Sequence, residues 1–153
     1  MEETKCTGQA IYFTMDEADL IRIMSDEFAV VGSDGVARSL TAPTHPRGFA
    51  TFPHAIRFFV REQKVFTLEQ MIHKMTGLTA QRFGLKNKGT IADGFDADLV
   101  LFRADEIVDR ADYTNGTALC DGIDRVIVSG ETVWNDKQLT GKFPGKFIPH
   151  TPM

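Results

Sequence analysis

Phe28-Ala29-Val30-Val31-Gly32-Ser33-Asp34-Gly35 is the stretch on which the fold turns: an unbroken apolar run stops at one carboxylate set between small residues. A parallel strand covered on both faces shows no polar alternation, so 28–31 reads as a buried strand. Asp34 then falls where that strand leaves its sheet. In α/β folds the carboxyl ends of the strands carry the chemistry, because loops vary there over a rigid scaffold. Ser-Asp-Gly is also ordinary turn chemistry, since Asp bonds its own backbone and Gly tolerates positive φ. The neighbouring residues have to weigh between the two.

Upstream, the apolar residues 10–13 read as a short strand running into Thr14-Met15-Asp16-Glu17, where Thr14 and Glu17 have the spacing of a capping box. Met15, Ala18, Ile21 and Met24 recur at three-residue intervals and predict a helix with that face buried. Strand, helix and strand in so short a span make a βαβ unit, whose right-handed crossover leaves its two strands parallel.

Downstream, 36–52 reads as a long irregular loop holding Thr44-His45-Pro46-Arg47. Loops of that length are uncommon unless functional or disordered. Thr51 and Pro53 predict a helix start, with Ile56, Phe59, Val60 and Gln63 on its buried side. Thr67 and Gln70 form a second capping box, with Phe66 stapled onto Met71, and that helix runs through Met75. A last helical turn over 79–83 stops at Gly84. From Leu85 the pattern becomes β: 97–102 reads as a strand, and 125–134 as a hairpin turning at Ser129-Gly130. Val126, Val128, Val133 and Trp134 supply the bulk of a sheet face. The shift near residue 84 divides the chain into 1–84, rich in helix, and 85–153, rich in strand.

Composition sets the bounds. In 153 residues, 42% hydrophobic and 25% charged, there is material for one domain with a core or for two small lobes. A net charge of −4 leaves no basic footprint for nucleic acid or anionic membrane. No apolar run approaches the roughly 18 residues of a membrane helix, and the start lacks the plan of a signal peptide, so a cytoplasmic protein is expected. Cys6 and Cys120 read as free thiols. His45, His54, His73 and His150 share no His-x-His or His-x3-His spacing; His54 and His73 fall on helix faces and His150 in the tail.

Several stretches then match a known pattern in order: Val31-Gly32-Ser33-Asp34-Gly35, His45-Pro46-Arg47, Lys74-Met75-Thr76-Gly77-Leu78, Arg82-Phe83-Gly84-Leu85, Gly94-Phe95-Asp96-Ala97-Asp98-Leu99-Val100 and Thr140-Gly141-Lys142-Phe143-Pro144-Gly145. Together they resemble the metal-dependent amidohydrolases, and within them the N-acyl-D-amino-acid deacylases, or D-aminoacylases. The resemblance in the Gly-Phe-Asp-Ala-Asp-Leu-Val stretch is of a type shared by many amidohydrolases, whereas Ser-Asp-Gly followed by His-Pro-Arg is more specific to the deacylase branch. The resemblance implies an α/β plus β fold, the last βα units of a (β/α)8 barrel whose eighth strand ends at Asp34, followed by part of a small β-sandwich. It implies that Asp34 touches the metal centre and acts as general base. Arg47 and His45 would meet the substrate carboxylate or brace their loop. A barrel alone takes about 250 residues, and this chain matches only its end, so most of the family's metal ligands have no counterpart here. The expectation is a zinc enzyme of N-acyl-D-amino acids in its complete form, with no zinc held and no turnover by this chain alone. Its partner would be a second copy or a chain carrying the remaining strands. Two other readings stay open: a non-catalytic association module, and a hydantoinase-like or dihydroorotase-like specificity.

Overall fold

The computed structural model describes residues 11–36 and 44–149. Its elements in order are α1 (Glu17–Met24), α2 (Arg47–Ala55), a π-helical continuation of α2 (Ile56–Glu62), α3 (Leu68–Met75), α4 (Gly77–Arg82), and strands β1 (Leu99–Phe102), β2 (Ile123–Val128), β3 (Glu131–Asn135) and β4 (Gln138–Leu139). The four strands form one antiparallel sheet in sequence order. Two left-handed pairs make its tight turns: Ser129 and Gly130, as expected, and Asp136 and Lys137, which the sequence did not flag. Positive φ at both central residues matches the right-handed strand twist.

The expected βαβ unit is not formed among the described residues. Neither 11–13 nor 28–32 takes part in a strand ladder, and Ala10 lies outside the described residues. Extended backbone becomes strand only when a neighbour accepts its hydrogen bonds, and no described segment lies alongside to do so. Phe28, expected inside, is 61% exposed, while Ala29 and Val31 pack against the core. α1 starts later than expected. Asp16, not Thr14, is the N-cap and accepts from the Ala18 N–H at 2.8 Å, because a carboxylate one residue before the helix reaches an orphan N–H directly. Met15 and Ala18 are therefore exposed, and the inward face is Leu20, Ile21 and Met24.

α2 begins at Arg47, four residues before Thr51, and carries Pro53 inside it. The helix then widens, with the Gln63 N–H donating to the Phe58 carbonyl five residues back at 2.8 Å. Ile56, Phe58 and Phe59 are buried, Val60 packs beside them, and Gln63 is exposed rather than buried. The Thr67–Gln70 capping box of α3 is present as read, Met71 is fully buried against Phe66 and its neighbours, and Gly84 ends α4 at φ 63°. One core joins helices and sheet: Met24, Ile56, Phe58, Phe59 and Met71 close over Ile107, with Phe102 and Ile123 against them.

The Asp96-Ala97-Asp98 stretch is a clamp. Lys88 bridges Asp96 at 2.9 Å and also meets Asp98, while the other oxygen of Asp98 accepts from the Ser129 N–H at 2.8 Å and so holds the hairpin turn. Those bonds, from Lys88 first, keep the Asp98 carboxyl below its usual range.

Candidate functional site

Lys74 fixes the approach to Asp34. It is buried to 7% exposure on α3, and its ammonium donates to the carbonyls of Asp26 at 2.6 Å and Ala29 at 3.0 Å while lying over the Phe66 ring. The turn after α1 is thereby stitched to α3, and 29–33 leave it along a defined line. Asp34 then takes a left-handed backbone, φ 49°, which Asp and Asn adopt more readily than other side chains.

The loop after Asp34 returns at Gly48. A Cβ on Gly35 would meet the Gly48 Cα at 3.0 Å, so the two segments touch backbone to backbone. That contact sets Asp34 beside Arg47: the guanidinium Nη1 lies 2.9 Å from Asp34 Oδ2. Both side chains are well exposed, at 43% and 84%, so the pair contributes under about 1 kcal/mol to stability and matters for placement.

His45 completes the group by bracing it. α2 has no side-chain cap from Pro46; instead the Arg47 N–H donates to His45 Nδ1 at 3.1 Å, so Nδ1 is the ring's acceptor and Nε2 carries the proton of the neutral ring. Burial, and next the Arg47 charge, push the His45 pKa down against the opposing pull of Asp34, so the neutral ring that this bond requires is favoured. The ring packs edge-on to Tyr113, 5.3 Å between centroids. Tyr113 is brought there by the close approach of its loop to residue 44, where a Cβ on Gly116 would lie 1.9 Å from the Thr44 carbonyl oxygen.

Asp34, Arg47 and His45 thus come together, and His45 and Arg47 line a cavity of about 450 Å³ between α1, α2 and the 109–113 segment. Among the other polar residues that line it are two joined as a pair that the sequence reading did not assign, His54 and Asp109. His54, read as a helix-face residue, sets Nδ1 2.9 Å from Asp109 Oδ2 and stacks on Phe58 at 5.6 Å. Asp109 is gripped in turn by Arg57, Nε to Oδ1 at 2.5 Å and Nη2 to Oδ2 at 3.1 Å. Burial works against ionisation of Asp109, but the Arg57 and His54 bonds outweigh it and bring its pKa down to about 2. Arg57 and His54 sit one helical turn apart, a spacing visible in the sequence; their partner 52 residues beyond Arg57 was not.

His73 is exposed on α3, as expected. Cys120 is a half-buried free thiol whose pKa burial raises, which marks it as unreactive. Cys6 and His150 lie outside the described residues. Among the described residues no three His, Cys, Asp or Glu side chains gather as a metal site, and Asp34 is paired with a cation. These residues alone do not fit a catalytic zinc, which takes three protein ligands.

Residues 20–134 match the model of the amidohydrolase family. The chain is 41% identical to N-acyl-D-aspartate deacylase of Alcaligenes xylosoxydans xylosoxydans over 91% of its own length and 28% of that protein's. It superposes on the crystal structure of a D-aminoacylase with a TM-score of 0.81 at 40% identity, covering 86% of this chain and 27% of that one. The N-acyl-D-glutamate deacylase of Bordetella bronchiseptica, solved with zinc and a phosphonate mimic of the tetrahedral intermediate, gives 0.77 at 37% identity over 83% of this chain and 26% of that one. The chain therefore spans less than a third of the relatives it matches. With three quarters of its residues inside one family model and the same fold shared at such identity, this chain belongs to the amidohydrolase family.

Proposed function

We propose that the chain is the part of a zinc-dependent N-acyl-D-amino-acid deacylase that carries the proton-transferring carboxylate and a substrate-anchoring arginine. The observation that carries this reading is the convergence of Asp34, Arg47 and His45, the last two of which line one cavity while Asp34 pairs with Arg47. Hydrolysis of an amide needs a group that takes a proton from the attacking water and returns it to the leaving nitrogen. Asp34 suits that role, because its carboxylate is exposed at the end of a stitched, glycine-flanked segment and, among the described residues, only one of its oxygens meets Arg47. Arg47 offers a planar donor pair to the substrate carboxylate, and a substrate that engages it would release Asp34 for proton transfer. His45 holds the first turn of α2, and with it Arg47, in place.

Zinc in this reading is held chiefly by the rest of the enzyme, with Asp34 reaching it from this chain. Residues 1–84 would be the closing βα units of the barrel, with 28–32 as its eighth strand once neighbours are supplied on both sides, and 85–153 a share of the β-sandwich. The association module and the cyclic-amide specificities are less well supported, because similarity to linear deacylases runs over nine tenths of the chain.

The test is reconstitution. This chain, co-expressed with a polypeptide carrying the remaining part of a family-length deacylase, should hydrolyse N-acetyl-D-amino acids and leave the L-isomers untouched. Asp34→Asn should lower kcat by at least about 10²-fold, the scale of general acid–base catalysis, with an unchanged melting temperature, since Asn accepts the left-handed backbone. Turnover surviving Asp34→Asn would remove the assignment.

A further inference from the structure

Asn115-Gly116 sits in a turn whose backbone is anchored while the asparagine side chain stands out from it. Asp112 Oδ1 accepts from the Thr114 and Asn115 N–H groups, each at 2.7 Å. The Asn115 carbonyl accepts in turn from the Asp112 N–H at 3.2 Å and the Ala118 N–H at 3.3 Å. The Asn115 side chain is exposed, and among the described residues its amide oxygen meets only the Thr117 hydroxyl, at 3.5 Å. These bonds act on both partners of one reaction. The carbonyl that takes two donors belongs to the same peptide unit as the Gly116 N–H, so its polarisation makes that N–H more acidic. The Thr117 hydroxyl draws electrons from the side-chain carbonyl that the Gly116 nitrogen would attack. Glycine puts no side chain in the way of that approach. The other two asparagines lack the set: Asn87 precedes Lys88, whose side chain crowds the attacking nitrogen, and Asn135 is paired within the sheet, where its side chain accepts from Arg125 Nε and donates to Asp136, both at 3.1 Å.

We propose that Asn115 is a site of spontaneous modification, deamidation through a cyclic imide, and that its rearranged product displaces the His45 brace. The Gly116 nitrogen bonds to Asn115 Cγ, the Cγ–Nδ2 bond breaks, and the proton from the Gly116 amide leaves with that nitrogen as ammonia. Water then opens the ring. Opening at the side-chain carbonyl leaves aspartate, whereas opening at the main-chain carbonyl leaves isoaspartate, whose backbone runs through the former side chain and is longer by a methylene. In all, a water is consumed and an ammonia released. The longer backbone enters where there is no room for it, since a Cβ on Gly116 would already lie 1.9 Å from the Thr44 carbonyl oxygen and 2.9 Å from its carbon. Thr44 leads directly into His45, which accepts the Arg47 N–H, and Tyr113 of the same turn packs edge-on to the His45 ring. Lengthening the turn therefore pushes His45 from both sides. The chemistry needs only this chain and water, so it stands apart from the deacylase reading.

The experiment is a timed incubation of the full 153-residue chain, labelled with ¹⁵N, in neutral buffer. Peptide mass mapping locates each amide that has become an acid, and a protease that cleaves before aspartate but not before isoaspartate separates the two products. The expected result is loss of the Asn115 side-chain amide, with Asn87 and Asn135 intact over the same period. The His45 and Tyr113 ring signals should divide into two sets, the new set growing with the isoaspartate fraction. Two variants separate the causes. Asn115→Gln, whose ring would have to be larger, should gain no acid and keep a single set of signals. Asn115→Asp, measured fresh, supplies the charge without the longer backbone and should leave both rings in place. Acid appearing at Asn87 or Asn135 ahead of Asn115, or at none of the three, would overturn the site. Conversion at Asn115 that leaves His45 and Tyr113 unmoved, or moves them no further than Asn115→Asp does, would overturn the displacement.

Discussion

Asp109 shows how one buried carboxylate can tie a helix to a distant loop and leave a record in pH. Its pKa lies near 2, below the ordinary 3.8, so its pairing with Arg57 stabilises the fold fully above about pH 4 and loses that contribution as pH falls toward 2. At 9% side-chain exposure the shift corresponds to about 2 kcal/mol. The urea midpoint of the wild-type chain should therefore fall through that window, and in Asp109→Asn the drop should be smaller by about that amount. An unchanged acid limb in the variant would mean that the pair does not persist in solution. His54 was legible as a helix residue and no more, because its partner comes from a loop that no local pattern ties to α2.

At the scale of elements, the capping box of α3, the Gly84 stop and the Ser129-Gly130 turn were all readable, since each is decided within about four residues. The wrong starts of α1 and α2 have one cause: several residues could cap each helix, and packing selected among them. Asp16 prevailed over Thr14, and His45 Nδ1 took the capping bond that no residue beside Thr51 was needed to supply. The run 28–31 joins no ladder among the described residues for a different reason. An apolar run reports a demand for burial and pairing, and whether a neighbour meets that demand is not written in the run. What holds this segment instead is Lys74, a residue type that sequence alone leaves in solvent, which here reaches two carbonyls across from α3. Lys74→Met keeps the stem and deletes the donors, leaving the Asp26 and Ala29 carbonyls short of a partner. A loss of about 1–3 kcal/mol is expected in chemical denaturation, along with faster amide exchange over 26–33. A neutral result would show that water replaces the ammonium without loss.

For the molecule as a whole, Asp34 was singled out as the end of an apolar run and Arg47 and His45 through the family resemblance, and the structure sets the three side by side. Large apolar side chains also lie exposed in the first part of the chain. Tyr12, Phe13, Met15 and Phe28 are 80%, 77%, 67% and 61% exposed, beside backbone at 28–32 that joins no ladder among the described residues. Each Å² of apolar surface left in water costs about 25 cal/mol, and unpaired extended backbone invites strand addition. Light scattering at micromolar concentration should accordingly give a mass above the 17.0 kDa of one chain. Supplying the polypeptide that reconstitutes activity should replace self-association with a defined heterocomplex. A monodisperse monomer would count against this reading of the apolar face.

The core that joins helices and sheet also imposes an order on synthesis. Phe58, Phe59 and Met71 have left the ribosome well before Ile107, and Ile123 comes later still, yet all of them share one cluster. At about 5–20 residues per second, several seconds separate the first of these side chains from the last. The β2–β3–β4 meander, built on two tight turns between adjacent strands, closes quickly once it emerges, because its contacts are local. Its arrival is thus the event that completes burial of aromatic residues made earlier. Until then the nascent helices carry a sticky face, and a chaperone that shields Phe58 and Phe59 during that interval would raise the yield of folded chain more than one acting after release.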